Sequence, residues 1–163
     1  MSQQPSHPAV APDAVGKVCM DAACATLLAS DAEICDECGG TRLGALDSIG
    51  VTLCGWDDER PVVFALSSDR ASIIGRSTSG GPTPDVDLRR FRDSGVVHRR
   101  HAWIELDSGE WQVTHLGTNP LAVTGRDSVL LEPGATARIR SGDTLQVGAV
   151  VLQFMVRPSA RRN

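Results

Sequence analysis

From residue 46 onward, short apolar runs alternate with turn-forming residues. The runs lie at 49–54, 61–66, 71–74, 102–106, 110–115, 129–131, 135–139, 144–147 and 150–156. Between them stand Asp57-Asp58, residues 67–69, Ser108-Gly109, Asn119-Pro120, Pro133-Gly134 and residues 141–143. Many short strands at this spacing predict an antiparallel sandwich or barrel, an all-β fold. Gly142 and Gly148 predict tight turns before the last two strands. Residues 78–95, rich in Gly, Pro, Ser and Asp, form the longest stretch without a pattern and predict a long loop. Loops of that length are uncommon in compact domains and often functional. Before residue 46 the pattern is weaker. Residues 21–31, with Ala22, Ala23, Ala25, Leu27 and Leu28, predict a short helical turn that only a metal or a partner would hold. Pro5, Pro8 and Pro12 predict a flexible tail over 1–16.

The chain has 163 residues, 41% of them apolar, which excludes wholesale disorder and suits one principal domain with a small appendage. No apolar run approaches the roughly 20 residues of a membrane helix, so no direct membrane insertion is expected. The first residues lack the basic and apolar regions of a signal peptide. A cytoplasmic protein is the expectation. The formal charge of -4 argues against general binding to nucleic acid. Its distribution says more. Residues 1–60 hold three basic and ten acidic side chains, net -7, whereas residues 70–101 hold seven arginines and three aspartates, net +4. Arginine offers a rigid fork suited to phosphate. Arg89, Arg90 and Arg92 read as solvated charges.

Cys19, Cys24, Cys35 and Cys38 fall within 20 residues, as Cys-x4-Cys, ten intervening residues, then Cys-x2-Cys followed by Gly39-Gly40. In a reducing compartment such a cluster favours metal over disulfides. Two pairs satisfy a tetrahedral four-cysteine site, and a segment of this size folds only with its metal. The whole resembles a short zinc ribbon with a relaxed first knuckle, which implies structural Zn2+. A redox pair at Cys35 and Cys38 is the alternative, without the alternating strand–helix pattern that would support it. Cys54 reads as a buried core thiol.

Four strings carry side chains suited to an anion. They are Gly75-Arg76 after Ile73-Ile74, the run from Val97 through His98, Arg99, Arg100 and His101 to Ala102, Gly117-Thr118-Asn119-Pro120 with Val123-Thr124-Gly125, and the run from Ser141-Gly142-Asp143 to Gly148. Each joins a strand edge to a turn, where Arg, His, Thr and Asn can converge above an apolar sheet. In this order, with Asp87-Leu88 between the first two, the chain resembles a forkhead-associated (FHA) domain over residues 46–158. The resemblance implies a β-sandwich that reads phosphothreonine. It implies that Arg76, Arg99 and Thr118 lie at the phosphate, that Asn119 holds the peptide main chain, and that Gly75 and His101 brace the loops. His98 stands where the family usually has a phosphate-binding serine, and Thr124 replaces the asparagine of a second contact turn. Pro120 replaces a common glycine.

Two functions follow. One is a non-catalytic adaptor for phosphothreonine-containing proteins or peptides, which implies a Ser/Thr protein kinase and its substrates. The other is a degenerate FHA scaffold that docks an unphosphorylated protein partner. No nucleophile–base–orienter set emerges, since His7 is in the tail and His115 sits on a strand without an identifiable partner. The expected organisation is a tail at 1–16, the four-cysteine segment at 17–42, the sandwich at 46–158 and a tail at 159–163.

Overall fold

The computed structural model describes residues 16–57, 60–126 and 128–157. The expected carboxy-terminal tail and all but Gly16 of the amino-terminal one lie outside the described residues. The strands are β1 (Lys17–Cys19), β2 (Leu27–Leu28), β3 (Leu43–Ala45), β4 (Val51–Asp57), β5 (Arg60–Ala65), β6 (Ser72–Gly75) and β7 (Val86–Asp87). They continue as β8 (Ala102–Asp107), β9 (Glu110–His115), β10 (Leu121–Thr124), β11 (Ser128–Leu130), β12 (Thr136–Arg138), β13 (Thr144–Val147) and β14 (Val150–Val156). Two large sheets face each other, one ordered β11-β10-β13-β14-β4-β5 and the other β12-β9-β8-β6-β7. Pairing is antiparallel except where β6 meets β7.

Alternation builds the core. Val150, Leu152 and Phe154 of β14 point inward, and so do Ala102 and Ile104 of β8. Their neighbours Val151 and Trp103 face outward. Each Leu, Ile or Phe fully removed from water contributes about 1.5–3 kcal/mol. β4 departs from simple alternation because both of its faces are covered. Leu53 packs into the sandwich, while Cys54 joins Val18, Leu46 and Val63 in a second cluster on the outer face. Cys54 is the buried thiol the sequence predicts.

What covers that outer face is a third sheet, β2-β1-β3, which carries the cysteines. The expected helical turn over 21–31 is only partly present. Amides of Cys24 and Ala25 close one turn onto the Asp21 carbonyl, and then the chain straightens into β2 to pair with β1. Main-chain pairing with a neighbouring strand prevails over local helix propensity in so short a segment. The long loop also holds more structure than its composition suggests. Val86, Leu88 and Phe91 are buried, β7 pairs with β6, and a 3-10 turn spans Ser94–Val96.

Candidate functional site

β6 ends at Gly75, and a Cβ there would lie 1.9 Å from the Arg99 carbonyl oxygen. Only glycine lets the 98–100 loop cross so close. The crossing is sealed by the Arg76 amide donating to the His98 carbonyl (3.1 Å) and the His101 amide donating to that of Ile74 (2.9 Å). Arg76 therefore emerges beside His98 and Arg99. Its Nε is buried and meets no acceptor among the described residues. The loop beyond Arg76 is pinned by Asp87, which is 1% exposed and accepts the amides of Ser77 (3.0 Å) and Arg89 (3.1 Å) through Oδ1.

Opposite lies the turn between β9 and β10. The His98 ring rests on Gly117, where a Cβ would come within 2.4 Å of the ring. Its Nε2 stands 3.2 Å from the Thr118 hydroxyl and accepts the Asn119 amide at 3.4 Å. The Asn119 side chain donates from Nδ2 to the Val96 carbonyl (2.7 Å), tying the two loops together. Beneath His98 is His101, fully buried. Its Nδ1 accepts the His98 amide (3.2 Å), which assigns the ring proton to Nε2, facing the carbonyls of Asn119 (3.1 Å) and Pro120 (3.0 Å). His115 stacks under His101 with ring centroids 5.6 Å apart, its nitrogens 2.7 Å from the Asn119 carbonyl and 3.0 Å from that of Leu131. Burial pushes the His101 imidazole below its ordinary value, against the pull of the Pro120 carbonyl and with repulsion from His115 and His98. A neutral, fixed histidine thus holds the recognition turn.

A cavity of about 650 Å³ opens next to this turn, lined by Ile73, residues 82–85, His98, Arg99, Arg100, Gly117 and Thr118. Its carboxylate, Asp85, receives the Arg70 guanidinium (2.9 Å) and the Ile73 amide (2.8 Å). Burial alone would raise the Asp85 carboxyl, but these donors hold it below its ordinary value. Arg99 and Arg100 are exposed, with no carboxylate partner among the described residues.

The structure thus brings together Arg76, His98, Arg99, Thr118 and Asn119, with Gly75 and His101 supporting them. It does not bring Thr124. That residue ends β10 paired with Ser128 and Thr144, about 10 Å of extended chain beyond Leu121. Two residues read otherwise from sequence acquire partners. His115, expected to lack one, faces two main-chain carbonyls. Arg90, expected in solvent, is 14% exposed and reaches Asp57 (2.8 Å), the Thr26 hydroxyl (2.8 Å) and the Cys24 carbonyl (2.5 Å).

The four cysteines converge on one another. The sulfurs of Cys19 and Cys38 are 3.6 Å apart, those of Cys24 and Cys35 are 3.7 Å apart, and all four lie within 4.8 Å. These separations are too long for disulfides. They match the edge of about 3.8 Å that four Zn–S bonds of about 2.3 Å would give a tetrahedron. Although burial works against it, the Cys35 thiol is lowered, because the amides of Cys38 and Glu37 point at its sulfur. The four residues can hold a metal ion.

Comparison with known proteins agrees with the sandwich fold. The FHA domain family model matches residues 72–148. Over 84 residues the chain is 36% identical to the glycogen accumulation regulator GarA of Mycolicibacterium smegmatis, covering 52% of this chain and 49% of that protein. Another 84-residue match, at 31% identity, is to the oxoglutarate dehydrogenase inhibitor of Corynebacterium efficiens, covering 52% of this chain and 54% of the inhibitor. The chain thus spans about half the length of the curated relatives it matches. A solved FHA domain from a structural and functional analysis of phosphothreonine-dependent FHA domain interactions is 25% identical. It covers 67% of this chain and 98% of its own, with a TM-score of 0.50.

Proposed function

This chain carries an FHA domain, and on that premise we propose that it is a non-catalytic adaptor whose loops at 76, 98–100 and 117–119 read phosphothreonine in a partner protein. The observation that carries the reading is the buried Arg76 Nε, without an acceptor among the described residues, on a residue whose amide is bonded to the His98 carbonyl next to the exposed Arg99. A phosphate dianion supplies the missing acceptors. Charge-assisted hydrogen bonds to it are shorter and roughly twice as strong as neutral ones. Asn119 has Nδ2 committed to Val96, and its Oδ1 serves to accept a peptide amide. The partner is the product of a Ser/Thr protein kinase. The names of the GarA and oxoglutarate dehydrogenase inhibitor relatives support a regulated metabolic enzyme as the target.

Four thiolates from Cys19, Cys24, Cys35 and Cys38 would hold structural Zn2+ in this reading, fixing a segment too small for a core of its own. The segment from Lys17 to Ala45 is then one unit and the sandwich from Leu46 the other. A cytoplasmic location suits free thiols and a kinase substrate. Among the described residues no helix is long and apolar enough to cross a membrane.

Titration with matched phosphorylated and unphosphorylated threonine peptides tests the function. Preference for the phosphorylated form, lost in Arg76→Ala with the fold intact, is expected; equal affinity for both overturns it. One observation favours the second reading, a scaffold for an unphosphorylated surface. His98 Nε2 already occupies the Thr118 hydroxyl and the Asn119 amide, groups that would otherwise face a phosphate.

A further inference from the structure

We propose that Arg90 couples the four-cysteine unit to the recognition loops, so that phosphopeptide affinity and retention of a metal ion rise together. The proposal rests on the phosphothreonine reading and on the four-sulfur metal site, and adds that each ligand is sensed at the other's site. Arg90 touches both halves of the cysteine cluster. Its Nη1 donates to the Cys24 carbonyl (2.5 Å) and the Thr26 hydroxyl (2.8 Å). Its Nη2 lies 3.9 Å from the carboxylate of Glu37, which stands between Cys35 and Cys38. On the other side Nε donates to Asp57 of β4 (2.8 Å), so the guanidinium is held between the cysteine unit and the sandwich.

From Arg90 the connection to the recognition loops is short and continuous. The Phe91 amide donates to the Leu88 carbonyl (3.0 Å), the Ser94 amide to that of Phe91 (3.1 Å) and the Val97 amide to that of Ser94 (3.0 Å). The Ser94 hydroxyl reaches back to the Arg89 carbonyl (3.4 Å) and braces the series. Residues 88–97 therefore form one connected run of turns, with Arg90 near its start. At the far end the Val96 carbonyl takes Asn119 Nδ2 (2.7 Å), and the His98 carbonyl takes the Arg76 amide (3.1 Å). Arg76 and Asn119 are the groups that meet phosphate and peptide in the phosphothreonine reading. Drawing the four sulfurs onto one ion fixes Cys24 and Glu37, and with them the Arg90 guanidinium and the run that it starts. Order already present at one end need not be created again when a ligand arrives at the other. Such coupling is a free energy shared by both ligands, so it acts in both directions.

The test is zinc release from the full chain, loaded with zinc and titrated with a chromophoric chelator in dilute solution. The probes are an alanine-flanked phosphothreonine peptide and its unphosphorylated twin, whose binding is read separately by fluorescence anisotropy. Saturating phosphopeptide is expected to raise the chelator concentration for half release about fivefold or more, the lower end of typical couplings, and the twin to leave it unchanged. Arg90→Met keeps the aliphatic stem and removes the donors. It should bring that ratio towards one while zinc and phosphopeptide still bind. Should that variant not fold, Thr26→Val, which removes one acceptor of Arg90, should lower the ratio. A shift that comes only from general stabilisation of the sandwich survives in both variants, and that result overturns the proposal. An unchanged half-release concentration in a wild-type chain that binds both ligands also overturns it, and leaves both underlying readings standing. Failure to bind the phosphopeptide overturns the phosphothreonine reading, failure to take up zinc overturns the metal site, and either removes the coupling with it.

Discussion

Two arginines tie the cysteine-bearing sheet to the sandwich, and their environments predict very different importance. Arg90 is 14% exposed and donates to Asp57, itself 19% exposed, as well as to the Cys24 carbonyl and the fully buried Thr26. Arg60 is 33% exposed and pairs with Asp36 and Glu37, which are 70% and 43% exposed. Removing one partner of a buried pair costs about 3–5 kcal/mol, because the other charge is left without solvent or counterion. Arg90→Ala takes the lower end of that range, about 3 kcal/mol, since water still reaches part of the pair. The exposed Arg60 cluster is worth about 0.5–1 kcal/mol. At about 2–4 °C per kcal/mol for a chain of this size, Tm should fall by about 6–12 °C for Arg90→Ala and by no more than about 4 °C for Arg60→Ala. Thermal unfolding in zinc-supplemented buffer, followed by tryptophan fluorescence, measures both. Arg90→Met keeps the aliphatic stem and separates packing from charge. Equal losses for the two arginines, or a wild-type midpoint for Arg90→Met, would refute the claim that Arg90 is the main polar tie.

Gly117→Ala places a methyl against the His98 ring. The half-exposed ring should swing out, lowering phosphopeptide affinity on the order of tenfold or more in calorimetry with little change in Tm. His101 gives a pH dependence of stability. Its folded value lies below the unfolded 6.5, so the unfolded chain takes up a proton first as pH falls. Its contribution is complete above about 6.5 and disappears as pH drops towards the folded value. Urea midpoints at pH 7.5 and 5.0 should diverge less in His101→Gln; an unchanged divergence removes His101 as a source. Cys35→Ser should lose one equivalent of zinc in native mass spectrometry, together with several kcal/mol of stability; full metal content in the variant counts against the four-sulfur site.

The sequence showed most where structure is local. Glu110–His115, Thr144–Val147 and Val150–Val156 are strands with the predicted limits, because alternation and flanking turns suffice to define them. Val86–Asp87 was hidden, since two residues carry no period and their partner is a distant parallel strand. Leu121–Thr124 falls outside the apolar runs that predict strands, and only the family resemblance points to Thr124. The anion-binding loops could be recognised because their side-chain types are distinctive. Their supports could not. His115 is held by main-chain carbonyls, and Arg90 meets acceptors 64 and 66 residues away. Neither kind of partner leaves a mark in the adjacent sequence.

The outer margin of β5 would otherwise offer unpaired amides and carbonyls to any passing strand. Here Thr26 bridges to Val62, and the Ala25 carbonyl takes the Val63 amide, so the cysteine-bearing segment covers the middle of that margin. The cysteine-bearing segment is thus a guard against self-association as much as a source of rigidity. If the four cysteines hold that segment through a metal ion, chelation should make the protein aggregate through β5 while the sandwich is still folded, with solubility failing before cooperative unfolding begins.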